Sequence, residues 1–305
     1  MNDLLSTTSG GSYEQDKQEV SAWRKALARS SERVTWPAEL FLRFSILLRE
    51  ALPVGLLSES EIEHVVREAY REVPDFYDPD RYQLRYESQL LPLLSRHGAG
   101  RQLLDLFCGH GREAAIFAGA GFDVLGVDED PRSVERARAY LARCELKAEF
   151  AAADVNHWRP ARADWYVIYS SLWMYSCIPG RAARLRWLEH VSGWLDPDGI
   201  LVISVTKRRS QRAARIRDFL ARCVALVSLN SRPLEIGDRF HTKLFWHDFT
   251  NDEVEEELSL AGLHLLDTLE IADAPPCTFF VARRAAGRGP GAPATATRSN
   301  RSDNV

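Results

Sequence analysis

Two glycines and two aspartates are spaced in a way that suits a nucleotide-like ligand. Asp105 lies within an apolar run, Gly109 and Gly111 follow it, and Asp128 ends the next apolar run. Glycine has no Cβ, so a turn built on it can take positive φ and let a ligand approach the backbone. A helix expected to start near Arg112 would direct its free N–H groups toward that turn. A carboxylate at the end of the second strand can accept hydrogen bonds from both hydroxyls of a ribose.

The glycine turn also fits the fingerprint of dinucleotide-binding proteins. Residues 109–114 match G-x-G-x-x-A, and Asp128 stands at roughly the twenty-residue distance expected of the ribose-binding acid. Taken alone, the pattern does not separate NAD from other adenosine ligands. An NAD-dependent oxidoreductase is therefore one interpretation that the motif leaves open.

Short apolar runs alternate with amphipathic helices from Arg101 onward. Strands are predicted near 102–107, 122–127, 147–151, 165–170 and 200–206, with helices near 112–119, 131–143, 181–194 and 210–227. Such alternation implies right-handed crossovers and a largely parallel sheet covered on both faces. A last helix begins at the capping box Thr250-x-x-Glu253, and two final strands, near 264–271 and 277–282, are predicted to form an antiparallel hairpin. The prediction is a doubly wound α/β sheet of seven strands.

Composition divides the chain into four parts. Residues 1–18 are polar, and residues 284–305 are rich in Gly, Pro, Ala and Arg, which predicts disordered ends. Residues 19–98 carry apolar residues at helical spacing and include the capping box Ser58-x-x-Glu61, which predicts an N-terminal helical cap over the ligand pocket. Residues 99–283 contain the alternating strands and helices.

Two further motifs complete an ordered set with the glycine turn and the two aspartates. The third strand ends in Ala153-Asp154-Val155, and Leu195-x-Pro197-x-Gly199 forms a turn before the fifth strand. Over roughly residues 100–282, this set resembles the class I S-adenosylmethionine-dependent methyltransferases. The resemblance implies a Rossmann-like fold and S-adenosyl-L-methionine as the cofactor. One departure is Phe107, because the family usually has glycine at that position.

The resemblance also implies residue roles in cofactor binding. The 105–111 loop would hold the methionine part of the cofactor, and Asp128 would bind the ribose hydroxyls. Asp154 would accept a hydrogen bond from the adenine amino group, although capping a short helix that follows it is the alternative. The expected cofactor-binding residues are Asp105, Phe107, Cys108, Gly109, Gly111, Asp128, Glu129, Asp154, Val155 and Ser170.

The segment that follows the fourth strand would face the reacting methyl group. Ser171, Trp173 and Tyr175 are the candidates for acceptor binding, although the two aromatic residues fit core packing equally well. His247 is a further candidate, since an acceptor hydroxyl would need its proton removed, but a structural histidine is the alternative. Further contacts are expected from tyrosines of the helical cap, namely Tyr77, Tyr82 and Tyr86.

Seven cationic residues crowd the segment after the fifth strand. They are Lys207, Arg208, Arg209, Arg212, Arg215, Arg217 and Arg222. A buried stripe is predicted on the same helix, formed by Ile216, Phe219, Leu220, Cys223 and Val227. Most of the cations are therefore predicted to lie on a solvated face. The alternative is that the early ones receive an anionic group of the substrate.

Bulk composition narrows the class of protein. The 305 residues carry a formal charge of −4 with a pI near 6.1, which argues against nucleic acid as an obligatory partner. Five cysteines without a C-x-x-C pair predict neither a disulfide framework nor a zinc site, and no metal is expected. No apolar run approaches the eighteen or so residues of a membrane span, and the N-terminus has no signal-peptide pattern. We expect a soluble, cytoplasmic protein with no membrane partner.

Methyl transfer to a small-molecule acceptor is the leading hypothesis. The alternatives are the NAD-dependent oxidoreductase and a methyltransferase-like scaffold that binds without catalysis. The sequence names neither the acceptor, nor a general base, nor the oligomeric state, because acceptor pockets are built from loops and appended helices rather than by the fold.

Overall fold

A computed structural model describes residues 39–72, 79, 86–241, 243–271 and 277–285. The chain divides into two compact units, 1–49 and 50–305. Within the first unit, the described residues 39–49 are helical. The second unit contains every strand of the described residues and the site described below. Residues 1–18 and 286–305 of the predicted disordered ends and the tyrosines at positions 77 and 82 lie outside the described residues, whereas Arg284, predicted to begin the tail, ends a strand.

Helices and strands alternate along most of the second unit. The helices are α1 (39–56, within which the division falls), α2 (Glu59–Glu72), α3 (Glu87–His97), α4 (Arg112–Gly119), α5 (Pro131–Arg143), α6 (Arg181–Ser192), α7 (Gln211–Ser228) and α8 (Asn251–Leu260). The strands are β1 (Gln102–Leu106), β2 (Asp123–Asp128), β3 (Glu149–Ala152), β4 (Trp165–Ser170), β5 (Leu195–Lys207), β6 (Asp238–His241), β7 (Leu244–Phe249), β8 (Leu263–Ile271) and β9 (Cys277–Arg284). Among the described residues, no helix has the length and apolar composition needed to cross a membrane.

One sheet joins all the strands of the described residues. Its order is β3-β2-β1-β4-β5-β7-β6, and β9 pairs with both β5 and β8. The strands β1 to β5 run parallel, while β8 and β9 form the predicted antiparallel hairpin. The carboxyl ends of β1, β2, β4 and β5 therefore lie along one edge of the sheet, where ligands bind in open α/β folds.

The doubly wound α/β architecture is confirmed, but the part of the sheet that the structure describes has nine strands rather than seven. The additional strands are β6 and β7, which form a short antiparallel hairpin in which Asp238 pairs with His247. These strands were not predicted because each contains a charged residue that is buried in the fold. Polar residues at buried positions hide the alternation by which a half-buried strand is identified in a sequence.

The core lies on both faces of the sheet. Leu103 and Leu104 are neighbours on β1 and both are fully buried, but they belong to different apolar clusters. One cluster includes Phe117 of α4 and Phe279 of β9, and the other includes Trp187 of α6. Successive side chains of a strand point to opposite faces, so burial of both neighbours shows that helices cover the sheet on each side.

Helix α7 buries a different face from the predicted one. Its buried residues are Ala214, Arg217, Ala221 and Ala225. By contrast, Phe219 is 64% exposed and Val227 is 85% exposed, so the predicted apolar stripe is wrong. The small side chains let the end of α1 around Gly55 approach α7 closely, since a Cβ added to Gly55 would stand 2.4 Å from the carbonyl oxygen of Ala221. Close helix contact therefore selects the alanine face.

Candidate active site

The turn between β1 and α4 takes the left-handed conformation at three residues. The φ angles are +61° at Phe107, +52° at Gly109 and +79° at Gly111. A Cβ at Gly111 would stand 2.9 Å from the Cβ of Ala137, so that glycine lets α4 and α5 pack together. A Cβ at Gly109 would meet nothing within 4 Å, and this residue lines a cleft. Gly109 therefore presents the backbone to a ligand.

Phe107 occupies a position with a glycine-like backbone. Its φ of +61° is uncommon for a residue with a Cβ, which explains why glycine is usual there in the family that the sequence resembles. The ring lies roughly parallel to that of Trp187, with centroids 6.3 Å apart and planes at 26°. The side chain also lines the cleft, as the sequence predicted for a cofactor-facing residue.

Asp128 connects the glycine turn to the next loop. One oxygen, Oδ2, accepts a hydrogen bond from the Gly109 amide at 2.9 Å, and Oδ1 accepts one from the Asp130 amide at 3.0 Å. Burial raises the pKa of Asp128, and the two backbone bonds partly oppose the rise. Each carboxylate oxygen can accept a second hydrogen bond. The carboxylate lines the cleft and is therefore able to receive hydroxyl donors there.

Asp105 lies beneath the turn with one oxygen unsatisfied. The residue is fully buried, and its Oδ1 accepts a hydrogen bond from the Ser171 hydroxyl at 3.0 Å. Among the described residues, Oδ2 has no hydrogen-bond partner. Burial, together with the charge of Glu113, holds the pKa of Asp105 well above its usual range. A cationic donor that reached Oδ2 would satisfy this oxygen and stabilise the ionised carboxylate.

Helix α2 forms the opposite wall of the cleft. Its lining residues share one helical face and are Glu63, Val66, Arg67, Tyr70 and Arg71. The Arg67 guanidinium forms ion pairs with Glu129 at 2.9 Å and with Asp154 at 3.5 Å. A helical cap over the pocket was expected from the sequence, but these lining residues were not among the predicted site residues. Their spacing over two turns of an amphipathic helix is the signal that could have found them.

The remaining expected cofactor residues have different surroundings. Glu129 lines the cleft, whereas Asp154 lies beside it, half-buried, and accepts a hydrogen bond from the Asn156 amide at 3.0 Å. Cys108, Val155 and Ser170 are buried. Burial raises the pKa of Cys108 well above its usual range, which keeps the thiol protonated. These three therefore support the turn and the strand ends from below.

The candidate acceptor residues do not all reach a cavity. Trp173 lines a second cavity, at the carboxyl end of β5. Tyr175 is fully buried, and its hydroxyl donates a hydrogen bond to Glu257 at 2.5 Å. His247 is 2% exposed, with Nδ1 2.8 Å from Asp238. Neither Tyr175 nor His247 lines the cleft or the second cavity. Tyr86 is also buried and does not line the cleft.

A buried charge network accounts for the positions of Tyr175 and His247. Arg184 is fully buried and pairs with Glu235 and Glu257, each at 2.7 Å. Burial lowers the pKa of Arg184, but the bonds and charges of the two glutamates outweigh burial and raise it. The ligand atoms of Glu235, Asp238 and His247 lie within 4.8 Å of one another. Arginines already neutralise both of these carboxylates, so the group is explained as a structural ion-pair network.

Part of the chain is similar in sequence to known methyltransferases. Residues 103–199 match the family model described as "Methyltransferase domain". A stretch of 99 residues is 32% identical to the ubiquinone biosynthesis O-methyltransferase of Bordetella avium, covering 32% of this chain and 41% of that protein. The chain thus spans less than half the length of this curated relative.

Solved structures share the fold at low sequence identity. The 1,6-didemethyltoxoflavin-N1-methyltransferase of Burkholderia thailandensis superposes with a TM-score of 0.55 at 20% identity, over 75% of this chain and 92% of that one. An S-adenosylmethionine-dependent methyltransferase from Clostridium acetobutylicum gives 0.51 at 13% identity, over 71% and 99%. The sheet order and the glycine turn agree with this shared fold, and residues 103–199 are similar in sequence to a methyltransferase domain.

Proposed function

We propose that the chain transfers a methyl group from S-adenosylmethionine to a small-molecule acceptor. The observation that carries the proposal is the cleft in which Gly109 and Asp128 meet at the carboxyl ends of β1 and β2. The similarity to a ubiquinone biosynthesis O-methyltransferase supports an acceptor of small size. We place the reaction in the cytoplasm, because all five cysteines are free thiols, as a reducing compartment requires.

The residues present fit such a cofactor. Gly109 faces open space, Asp128 has acceptor capacity for the ribose hydroxyls, and the free Oδ2 of Asp105 suits a cationic donor such as an ammonium group. Phe107 supplies an apolar wall. When bound, the cofactor would supply an activated methyl group on a sulfonium sulfur, with S-adenosylhomocysteine as the leaving group.

The protein contributes to the reaction by positioning the reactants and excluding water. Helix α2 covers the cleft, and Arg67 ties that helix to Glu129 and Asp154 at the ends of β2 and β3. A covered cleft holds the two reactants in a fixed orientation and excludes water. In a reaction that needs little covalent chemistry from the protein, these two effects provide the rate enhancement. His247 has a structural role in this proposal, because its ring is buried against Asp238.

Calorimetry and product analysis test the proposal. Titration with S-adenosylmethionine and S-adenosylhomocysteine is expected to show binding at one site. Incubation of methyl-labelled cofactor with a small-molecule extract of the host is expected to give a labelled product by mass spectrometry. Binding of NADH with no binding of either adenosyl compound would favour the oxidoreductase instead. Tight binding with no label transferred to any extract component would favour the scaffold without catalysis.

A further inference from the structure

The second cavity lies next to the cofactor cleft. It has a volume of about 770 Å³, within the usual range for small-molecule sites. Lys207 at the end of β5, the loop that leads into α7, and Trp246 of β7 all line it. Trp173 lines this cavity, and the next residue, Met174, lines the cofactor cleft. The two spaces therefore share the turn at residues 173–174.

Two tryptophans form a fixed apolar wall in this cavity. The Trp173 backbone is in the left-handed conformation, with φ of +63°, and its amide donates a hydrogen bond to the Ser204 hydroxyl at 2.7 Å. Its ring meets that of Trp246 edge to face, with centroids 5.7 Å apart and planes at 86°. Such a wall suits a planar, aromatic molecule, because aromatic rings pack favourably at offset and perpendicular angles.

Positive charge exceeds negative charge around the same space. The cationic lining residues are Lys207, Arg208, Arg209, Arg217 and Arg239, and the acidic ones are Glu50, Asp248 and Glu270. Arg208 also pairs with Glu253, which is outside the lining, at 2.8 Å. The cavity and its immediate ion pairs thus retain one surplus positive charge.

The surplus charge belongs to Arg209, because each of the other four lining cations has an ion-pair partner. Arg239 pairs with this carboxylate at 2.7 Å, and Arg217 approaches it at 3.7 Å while also pairing with Glu50 at 3.0 Å. Burial and, less strongly, the charge of Arg239 lower the pKa of Arg217. Arg209 is exposed and has no ion-pair partner anywhere in the part of the chain that the structure describes. An anion near Arg209 and Arg239 would balance this charge.

We infer that the acceptor is a planar aromatic anion that binds in this second cavity. Its ring would pack on Trp173 and Trp246, and its carboxylate or phosphate group would bind Arg209 and Arg239. This inference rests on the proposed function, because it assigns the substrate class of the same transfer reaction.

Matched naphthalene probes test the assignment. 2-Naphthoate, 2-naphthyl phosphate and the neutral 2-naphthalenemethanol share one ring system and differ in charge. Titrations followed by tryptophan fluorescence and calorimetry, with S-adenosylhomocysteine present, are expected to show both anions binding at least tenfold more tightly than the alcohol. The anion that binds with the lower Kd identifies the head group as a carboxylate or a phosphate. Arg209→Gln and Arg239→Gln are each expected to weaken anion binding about tenfold, since each loses a charge-assisted hydrogen bond.

Control variants separate a binding role from a structural one. Arg215→Gln changes an exposed arginine of α7 outside the cavity and is expected to leave all three affinities unchanged. Arg209→Gln removes an exposed side chain, so it keeps the test valid even if Arg239→Gln, which breaks the pair with Asp248, fails to fold.

The outcomes distinguish the two proposals. Equal affinity for the anions and the alcohol, or unchanged anion binding in Arg209→Gln, would overturn the acceptor assignment. Binding of S-adenosylhomocysteine without binding of either anion would overturn it too, and would leave the proposed methyl transfer standing. No binding of S-adenosylhomocysteine to the unaltered protein would instead overturn the proposed function.

Discussion

Asp128→Asn is the most direct test of the cofactor cleft. Asparagine keeps the size of the side chain but replaces one acceptor oxygen with an NH₂ donor and removes the charge. Both oxygens of Asp128 accept backbone bonds, from Gly109 at 2.9 Å and from Asp130 at 3.0 Å. One of these amides must therefore face another donor in the variant, and the ribose hydroxyls lose a charged acceptor.

The expected loss of cofactor affinity follows from those bonds. A hydrogen bond to a charged group contributes about 1.5 to 3 kcal/mol, and asparagine retains one acceptor oxygen. We expect a net loss of about 2 to 3 kcal/mol, or roughly 30- to 150-fold in Kd. The mispaired amide also costs about 1 to 3 kcal/mol of unfolding free energy, partly offset because the buried charge is gone.

Titration calorimetry at several pH values measures this effect. The pKa of Asp128 is raised above 3.8, so affinity for S-adenosylhomocysteine in the unaltered protein should decline as pH falls through that raised value. The variant should lack this decline, since it has no group to protonate. Asp123→Asn, at the exposed start of the same strand, is the matched control and should bind normally. Unaltered affinity in Asp128→Asn, or an equal loss in Asp123→Asn, would refute the assigned ribose contact.

Three further predictions concern the scaffold. Gly111→Ala should lower the free energy of unfolding by at least about 1 to 2 kcal/mol in denaturant titrations, because φ is +79° and the new Cβ would meet α5. Arg184→Met should lower it by about 3 to 5 kcal/mol in the same measurement, because the buried Glu257 and the partly buried Glu235 lose their partner. Only the exposed Cys144 and Cys223 should react with a thiol reagent at pH 8 in the native protein, as counted by mass spectrometry; burial raises the pKa of Cys177, for example, to about 12.

Each of these predictions has an internal control. Gly119→Ala, at the end of α4 where a Cβ meets nothing within 4 Å, should stabilise the protein by about 0.5 to 1 kcal/mol, and an equal loss at both glycines would contradict the packing argument. Arg186→Met, on the exposed face of α6, should change stability by less than about 0.5 kcal/mol. The unfolded chain should add reagent at all five cysteines. Rapid native labelling of a third cysteine would show that a buried thiol is accessible.

Helix caps were among the features that local sequence identified well. The capping box at Thr250 forms with both of its bonds, and α5 begins after the predicted cap at Asp130. These signals work because the groups that satisfy a helix end lie within three residues along the chain. The β-α-β alternation was equally informative, since burial of a parallel strand depends on its own apolar run.

The position of the cofactor cleft was also predictable. The glycine turn and Asp128 end neighbouring parallel strands, so chain order alone brings them to one edge of the sheet. The Gly109–Asp128 hydrogen bond joins two of the expected residues directly. How the ligand occupies the cleft stays a prediction, which the calorimetry described above addresses.

Contacts between distant segments required the tertiary structure. Arg217 was predicted on a solvated face but is buried, where it pairs with Glu50 at a separation of 167 residues. His247 looked like a candidate base, yet its buried pairing with Asp238 assigns it a structural role. A charged residue is tolerated inside a protein only when partners surround it, and no local pattern reveals those partners.

The sequence by itself therefore determined the parallel part of the sheet, the helix caps and the edge at which ligands bind, because each depends on neighbours in the chain or on strand order. Only the tertiary structure decided which face of α7 is buried, that α2 and Arg67 cover the cleft, and that a basic, tryptophan-lined cavity adjoins it at Trp173. These features depend on which helices and loops pack together, and packing is decided by shape and charge over the whole fold.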